Sequence, residues 1–197
     1  MKRIALFAFL FLFVFLGFQV SLAQGSAAKK AVFIIAAKDF QDDEFALPKA
    51  VLEKNGVQVT VASTTLAEIT GMNGAKARVD ILLGDVKVED YDAVVFIGGS
   101  GAQQYVDDPL AQKIARESMA EGKVTAAICL APVILTNAGV LKGKQATCYP
   151  SEGSKLSAAG VNYTAKPVEI DGKIITADGP TSAKQFGEEI NLALSAK

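Results

Sequence analysis

Cys129 is the residue whose type and position best support chemistry. It follows the apolar residues 124–128, which predict a buried strand, and precedes the apolar stretch 131–140, which predicts a buried helix. The sulfur is therefore expected on a sharp strand-to-helix turn, where the helix dipole and free N–H groups favour a thiolate. That geometry is a nucleophile elbow with cysteine as the nucleophile. The alternative is an inert buried cysteine acting as a small hydrophobe.

Composition restricts which partners such a nucleophile has. The 197 residues include no His, which excludes Ser-His-Asp and Cys-His catalysis and His-based zinc sites. The 2 Cys lie far apart in the sequence, so we expect no metal. Lys and Arg number 20 against 21 Asp and Glu, so no long-range field attracts nucleic acid or anionic lipid. Chemistry must then use Cys, carboxylates, Tyr, Lys or backbone groups.

Strand and helix patterns alternate along the chain. Branched apolar runs predict buried strands, and Asn55-Gly56 and Gly122 supply helix stops. The predicted strands are residues 31–37, 57–62, 93–97, 124–128, 145–149, 168–170 and 173–176, with a hairpin-like excursion over 69–88. The predicted helices are residues 42–54, 108–122 and 131–140, and a last helix capped by Thr181 or Ser182. This order predicts one α/β domain around a largely parallel sheet.

The carboxyl ends of parallel strands are where ligands bind in such folds. Three loops are expected there together: residues 38–44, 98–101 and 129–132. Backbone amides of Gly99 and Leu130 are placed to hold a developing oxyanion, because the residue after an elbow nucleophile turns its amide into the site. A phosphate-binding loop is poorly supported, since the segment after Gly99 lacks a third glycine and a Gly-Lys-Ser/Thr motif. We expect no cofactor.

The first residues indicate a targeting segment. Lys2 and Arg3 precede an unbroken apolar run over residues 4–16, and Ser21-Leu22-Ala23 supplies a small-residue cleavage pattern. We expect a signal peptide over residues 1–23, a flexible lead-in over 24–30 and the folded domain over 31–197. The apolar run is shorter than the ~20 residues that a membrane-spanning helix needs. The expectation is therefore an exported, periplasmic or secreted protein without a membrane partner after cleavage.

Several segments resemble one known family in order and spacing. They are the elbow AICLAP at 127–132, the acidic segment DDEFALP at 42–48, the glycine loop GGSG at 98–101, and two later blocks at 141–150 and 175–181. The chain is identified by these as resembling the ThiJ/PfpI superfamily. The resemblance implies a flavodoxin-like three-layer sandwich, similar to class I glutamine amidotransferases, and a homodimer. It also implies that Glu44 contacts the nucleophilic sulfur.

The departures from the family pattern affect function. PfpI-type peptidases have His after the nucleophile, where this chain has Leu130, which argues against peptidase chemistry. Glyoxalase- and deglycase-type members commonly have His where this chain has Tyr149, so a His-dependent proton shuttle does not transfer. What remains is a pair in which a protonated Glu44 lowers the thiol pKa of Cys129 while its own rises through burial. The neighbouring Asp42 and Asp43 are expected to be solvated acids at a helix start.

The leading hypothesis is a cysteine-dependent, glyoxalase- or deglycase-like enzyme acting on small reactive carbonyls. Cys129 and Glu44 would be catalytic, Gly99 and Leu130 would hold the oxyanion, and Tyr149 would orient the substrate. The alternative is a redox-responsive or binding protein in which Cys129 oxidises to a sulfinic acid. We expect no disulfide with Cys148, because strand alternation turns its side chain away from that of Tyr149.

Overall fold

The computed structural model describes residues 28–196. Its strands are β1 (Lys30–Ile34), β2 (Gln58–Ser63), β3 (Ile69–Thr70), β4 (Lys76–Ala77), β5 (Ile81–Leu82), β6 (Ala93–Phe96), β7 (Val124–Ile128), β8 (Gln145–Ala146), β9 (Asn162–Tyr163), β10 (Val168–Asp171) and β11 (Ile174–Ala177). Its α-helices are α1 (Asp42–Lys54), α2 (Gln103–Val106), α3 (Pro109–Ala120), α4 (Pro132–Asn137), α5 (Gly153–Ala158) and α6 (Ala183–Ser195).

A 7-stranded sheet in the order β10-β11-β7-β6-β1-β2-β5 forms the centre of the fold. All neighbours pair parallel except β10 and β11, which form an antiparallel hairpin. The prediction of a largely parallel central sheet is confirmed. The parallel arrangement places the carboxyl ends of β1, β6, β7 and β11 along one edge, where the chemistry-bearing loops meet.

Helices cover both faces of the sheet, which gives three layers. Along β1 the side chains alternate: Val32 and Ile34 belong to the core cluster beneath α3 and α4, whereas Phe33 belongs to the cluster beneath α1 and α6. All three are fully buried. Because both faces are covered, the central strands are largely apolar and do not alternate, with Thr125 of β7 and Thr176 of β11 as buried polar exceptions.

Helices α1 and α6 pack closely against each other on one face of the sheet. A Cβ atom at Gly187 of α6 would lie 2.6 Å from the Cα of Pro48 in α1, so the crossing requires a glycine. Phe45 and Leu52 of α1 and Phe186 of α6 face the sheet from this layer. The packing fixes the first turn of α1, and with it Glu44, over the carboxyl ends of the strands.

The chain differs from the prediction mainly between residues 145 and 182. The strand predicted over 145–149 covers only β8, which pairs with the unpredicted β9 in a separate small sheet. The ladder ends there because the Thr147 amide donates to the Thr176 side chain at 2.9 Å. Helices α2 and α5 were also not predicted. Ser182 does not cap α6 with its side chain; its hydroxyl donates to Asp178.

The predicted signal peptide lies outside the described residues. Within residues 28–196, none of the helices combines the length and the apolar character needed to cross a bilayer.

Candidate functional site

Cys129 adopts a left-handed backbone conformation at the end of β7. Its φ of 64° is unusual for a non-glycine residue and costs about 1–3 kcal/mol, so the surrounding structure must impose it. Its amide donates to the Ala177 carbonyl at 2.9 Å, and its carbonyl accepts from the Tyr149 amide at 2.8 Å. These bonds tie the turn to β11 and to the segment after β8. The backbone therefore has the predicted elbow geometry.

Glu44 lies in the first turn of α1 and has no exposed surface. The Gln41 side chain caps this helix by accepting the Glu44 amide at 2.7 Å, which fixes where the turn begins. Neither carboxyl oxygen has a hydrogen-bond partner of normal geometry among the described residues. A buried carboxyl without a well-formed hydrogen bond is costly, and in a cleft such a group is a candidate functional residue.

Gly98 is the residue that lets the carboxyl and the sulfur approach each other. A Cβ atom there would collide with the Glu44 Oε2 atom and would lie 2.7 Å from the Cβ of Cys129. It would also lie 2.6 Å from the Ile128 carbonyl oxygen. Only a glycine fits between the acid and the elbow. Sequence reasoning placed Gly98 in the glycine loop but did not identify this contact.

Burial dominates the electrostatics of the pair. It raises the pKa of Glu44 to about 7, with the nearby carboxylates of Asp178 and Asp43 contributing and the Cys129 side chain and Gly98 amide opposing. Burial, followed by the negative charge of an ionised Glu44, raises the pKa of the Cys129 thiol to about 12. Each group is among the causes of the other's pKa shift.

The Cys129 pKa is therefore raised, whereas the prediction was that a protonated Glu44 lowers it. Two causes raise the pKa of the Cys129 thiol: the residue is only 6% exposed, and the neighbouring carboxylate disfavours a second negative charge. Helix α4 begins only at Pro132 and ends at Asn137, so it is shorter than the predicted 131–140 helix. The resting pair holds a thiol beside a group able to accept its proton.

Two backbone amides lie close to the sulfur. The amides of Gly99 and Leu130 both interact with the Cys129 side chain and lower its pKa, against the larger effect of burial. Neither donates to a backbone carbonyl within the described part of the chain. Gly99 has a φ of 96°, and a Cβ there would lie 2.6 Å from the Asp39 carbonyl oxygen. The glycine is thus required both by conformation and by space.

A pocket of about 390 Å³ opens over Cys129. All five predicted site residues line it together, namely Cys129, Glu44, Gly99, Leu130 and Tyr149. The Tyr149 side chain is 45% exposed at its rim. The other lining residues are Gln41 and Ser100, which lie in loops predicted to meet at this edge, and Met72, Asn73 and Pro180, which the sequence did not place at the site. Met72 and Asn73 lie in the hairpin-like excursion predicted over residues 69–88, but they are far from Cys129 in the sequence, so their contact with the site was not predicted.

Two further expectations about neighbouring residues have different outcomes. Asp43 is exposed as expected, but Asp42 is buried and accepts hydrogen bonds from two amides of the β3–β4 turn. The expectation of a solvated Asp42 is wrong, because the turn folds over it. Cys148 is fully buried while the side chain of Tyr149 faces out, and both thiols are free. The described residues hold no cluster of metal-ligating side chains.

Comparison with known proteins agrees with this architecture. The model of the DJ-1/PfpI family matches residues 29–192. A protein of Methanocaldococcus jannaschii is 42% identical over 168 residues, covering 84% of this chain and 82% of its own length. A deglycase of Pyrococcus horikoshii is 35% identical over 149 residues, covering 76% of this chain and 90% of its own.

A solved structure gives the same result for the fold. The crystal structure of a ThiJ/PfpI domain protein from Brachyspira murdochii superposes with a TM-score of 0.83 at 30% sequence identity. The match covers 85% of this chain and 98% of the other. The predicted flavodoxin-like, three-layer architecture is thereby confirmed.

Proposed function

Because this chain belongs to the DJ-1/PfpI family, we propose that it is a glyoxalase- or deglycase-like enzyme that acts on small reactive carbonyls through Cys129. The observation that carries the proposal is the buried Glu44 carboxyl, with a pKa of about 7, facing a thiol at the base of an open pocket. A pKa near the working pH is what general acid–base catalysis requires. The deglycase of Pyrococcus horikoshii supports the reaction class.

In the first step Cys129 adds to the aldehyde carbon. The bond between Sγ and carbon forms as the Sγ proton passes to the ionised Glu44, so no free thiolate is needed despite a thiol pKa of about 12. The carbonyl electron pair moves to oxygen, and the amides of Gly99 and Leu130 stabilise that charge. Glu44 then returns the proton to the oxygen, giving a hemithioacetal.

In the second step Glu44, again ionised, removes the hydrogen from the carbon bonded to sulfur. The neighbouring carbonyl oxygen gains a proton to give an enediol. The neighbouring carbon then takes a proton while the hydroxyl on the sulfur-bearing carbon loses its own, which leaves a thioester of a 2-hydroxy acid on Cys129. Water breaks the carbon–sulfur bond, and the sulfur regains a proton. For methylglyoxal the product is lactate, and Glu44 moves each proton that a His moves in other members. Tyr149, at the rim, orients the substrate through its hydroxyl.

Turnover of methylglyoxal to lactate tests the proposal. Cys129→Ser is expected to lower kcat/KM by at least about 100-fold, and Glu44→Gln by a similar factor, because each removes a reacting group. The wild-type rate is expected to rise with pH through about 7, since the base works in its ionised form. Cys148→Ala is the matched control and should keep its activity. Equal rates in wild type and Cys129→Ser would remove the proposal.

The competing function is redox sensing, in which Cys129 is oxidised to a sulfinic acid beside Glu44. Peroxide reacts with the thiolate, and a thiol pKa of about 12 leaves little thiolate at neutral pH. Mass spectrometry after mild peroxide separates the two functions: a stable two-oxygen adduct at Cys129 in a protein without turnover would favour sensing.

Export and dimerisation extend the same proposal. The apolar run over residues 4–16 and the Ser21-Leu22-Ala23 pattern support cleavage after Ala23, which N-terminal sequencing of the protein recovered from its host would test. Exposed Leu47 of α1 and Leu192 of α6 line one groove and support a homodimer through this face. Sedimentation equilibrium of the purified protein would test the dimer.

A further inference from the structure

The β3–β4 hairpin is hydrogen-bonded directly to residues 38–41, the loop that leads into α1 and Glu44. The Asp39 amide donates to the Thr70 carbonyl at 2.9 Å, and the Met72 amide donates to the Phe40 carbonyl at 2.8 Å. The same loop is bonded to the glycine loop on its other side, because the Gln41 amide donates to the Gly98 carbonyl at 3.1 Å. The β3–β4 hairpin, residues 38–41 and the glycine loop therefore form one continuous hydrogen-bonded unit along one side of the site.

Asp42 holds the tip of this hairpin. Its carboxylate accepts the Asn73 amide at 2.9 Å and the Ala75 amide at 2.7 Å, and the residue is only 8% exposed. A Cβ at Gly71 would lie 2.7 Å from the Asp42 Oδ2 atom, so the turn is seated against the carboxylate. Hydrogen bonds to a charged acceptor are among the stronger ones in proteins. The tip is thus fixed by a side chain two residues from Glu44.

The fixed tip forms one side of the Cys129 pocket. Met72 and Asn73 both line it, and the thioether of Met72 accepts the Ser100 amide at 3.5 Å. Met72 is 51% exposed, so part of its side chain faces the space that a substrate enters. None of the lining residues carries a positive charge, and Glu44 is the one carboxyl among them.

We propose that Asp42 is a positioning residue and that the hairpin tip it holds, residues 71–75, selects neutral carbonyl substrates with an apolar substituent. The inference rests on the proposed function, and it adds the substrate class. Met72 and Leu130 offer apolar surface to such a substituent. An anionic substrate would bring its charge into a pocket with a carboxyl and no basic partner, where burial of the charge is unfavourable.

The rate of alkylation of Cys129 tests whether the hairpin tip selects neutral, apolar molecules, and this measurement does not depend on turnover. The probes are N-benzyl iodoacetamide, which is neutral and apolar, and iodoacetate, which is anionic and has the same leaving group. The quantity measured is the alkylation rate at Cys129 with N-benzyl iodoacetamide divided by the rate with iodoacetate. In native wild-type protein this ratio is expected to exceed its value in urea by about tenfold or more. Met72→Ala should lower this ratio by about threefold to fivefold, since apolar contact is lost.

Substitutions that displace the hairpin tip should also lower the ratio of alkylation rates, although they leave Met72 itself unchanged. Gly71→Ala pushes the turn away from Asp42, and Asp42→Asn weakens its attachment, so both should lower the ratio as Met72→Ala does. Leu66→Ala removes a side chain that is 58% exposed and does not line the pocket, and Asp85→Asn removes an exposed carboxylate elsewhere. Both control variants should leave the ratio unchanged. Circular dichroism verifies that each variant is folded.

A kinetic measurement completes the test where turnover is present. For phenylglyoxal, Met72→Ala and Asp42→Asn should raise KM by about fivefold and change kcat by less than about twofold, which is the signature of lost substrate binding. For glyoxal, KM should stay within about twofold, because that substrate has no apolar substituent to contact Met72.

The proposal is overturned if the native ratio of alkylation rates equals the ratio in urea, or if folded Met72→Ala and Gly71→Ala leave it unchanged. Absence of turnover with the predicted alkylation ratios would instead count against the proposed function alone.

Discussion

The two cysteines of this chain are nearly alike in burial and in thiol pKa, yet only one faces a site. Cys129 is 6% exposed and Cys148 is fully buried, and burial raises the pKa of each thiol to about 12. Each also has a glutamate whose negative charge adds to the shift, Glu44 for Cys129 and Glu152 for Cys148. A raised thiol pKa therefore does not separate a reactive cysteine from a structural one.

The glutamates are what distinguish the two regions. Glu152 is paired with Lys155 and accepts a hydrogen bond from Ser151 at 3.0 Å, and these contacts lower its pKa. Glu44 has no such partners, and burial raises its pKa to about 7. An unpaired acid with a pKa near neutrality can exchange a proton with a neighbouring thiol, whereas an ion-paired acid stays ionised. The comparison indicates that the proton acceptor, more than the sulfur, marks the site.

The largest expected difference between the two thiols is their access to reagents. In native protein Cys129 should react with iodoacetamide at least about 1000-fold faster than Cys148, because Cys129 faces a pocket while Cys148 requires the core to open. Peptide mapping after timed alkylation measures both rates in one sample. The urea-denatured protein is the control, and its two thiols should react at similar rates. Similar rates in the native state would mean that the pocket gives the sulfur no access.

Much of the fold and part of the site could be predicted from the sequence. Continuous branched apolar runs such as residues 93–97 identified the buried parallel strands, because covering both faces leaves no polar positions. The strand-to-helix junction identified Cys129, and the glycine loop identified Gly99. These signals are local, since each depends on residues adjacent in the chain.

The contacts that complete the site depend on residues far apart in the sequence. Met72 reaches the pocket only because the hairpin folds back over the acidic loop, and Asp42 is buried only because that hairpin covers it. The need for glycine at position 98 likewise arises from the meeting of α1, β6 and β7. The direction of the thiol pKa shift was mispredicted for the same reason, since the shift follows from burial by the assembled fold.

The second prediction uses the two glutamates and the dependence of stability on pH. The pKa of Glu44 in the folded state, about 7, lies above its ordinary value of 4.5. The folded protein then binds more protons than the unfolded chain in this interval, so Glu44 lowers stability as pH rises from about 4.5 to about 7. The full loss is about 3 kcal/mol. Glu44→Gln should remove this loss. The free energy of unfolding of the variant relative to wild type should therefore rise by that amount as pH increases across the interval.

Glu152→Gln is the matched control and should behave in the opposite sense. Because the pKa of Glu152 is lowered by its partners, the carboxylate adds stability above its ordinary pKa and loses it in acid. Urea unfolding of wild type and both variants at a series of pH values measures the differences. A Glu44→Gln difference that does not change with pH would show that Glu44 titrates normally, and the proposed proton acceptor would be lost.

The smallest expected effect is a difference in stability between serine substitutions at the two cysteines, which reports how polar the surroundings of each sulfur are. Cys148→Ser places a hydroxyl in the fully buried core cluster beneath α3 and α4, and it should lower the free energy of unfolding by about 2 kcal/mol, the cost of burying an unpaired polar group. Cys129→Ser should lower it by less than about 1 kcal/mol, because its hydroxyl can bond to the Glu44 carboxyl or accept the Gly99 and Leu130 amides. Urea unfolding with equal m values measures both. Equal losses in the two variants would place Cys129 in the same dry packing as Cys148, and a nucleophile in such packing could not meet a substrate.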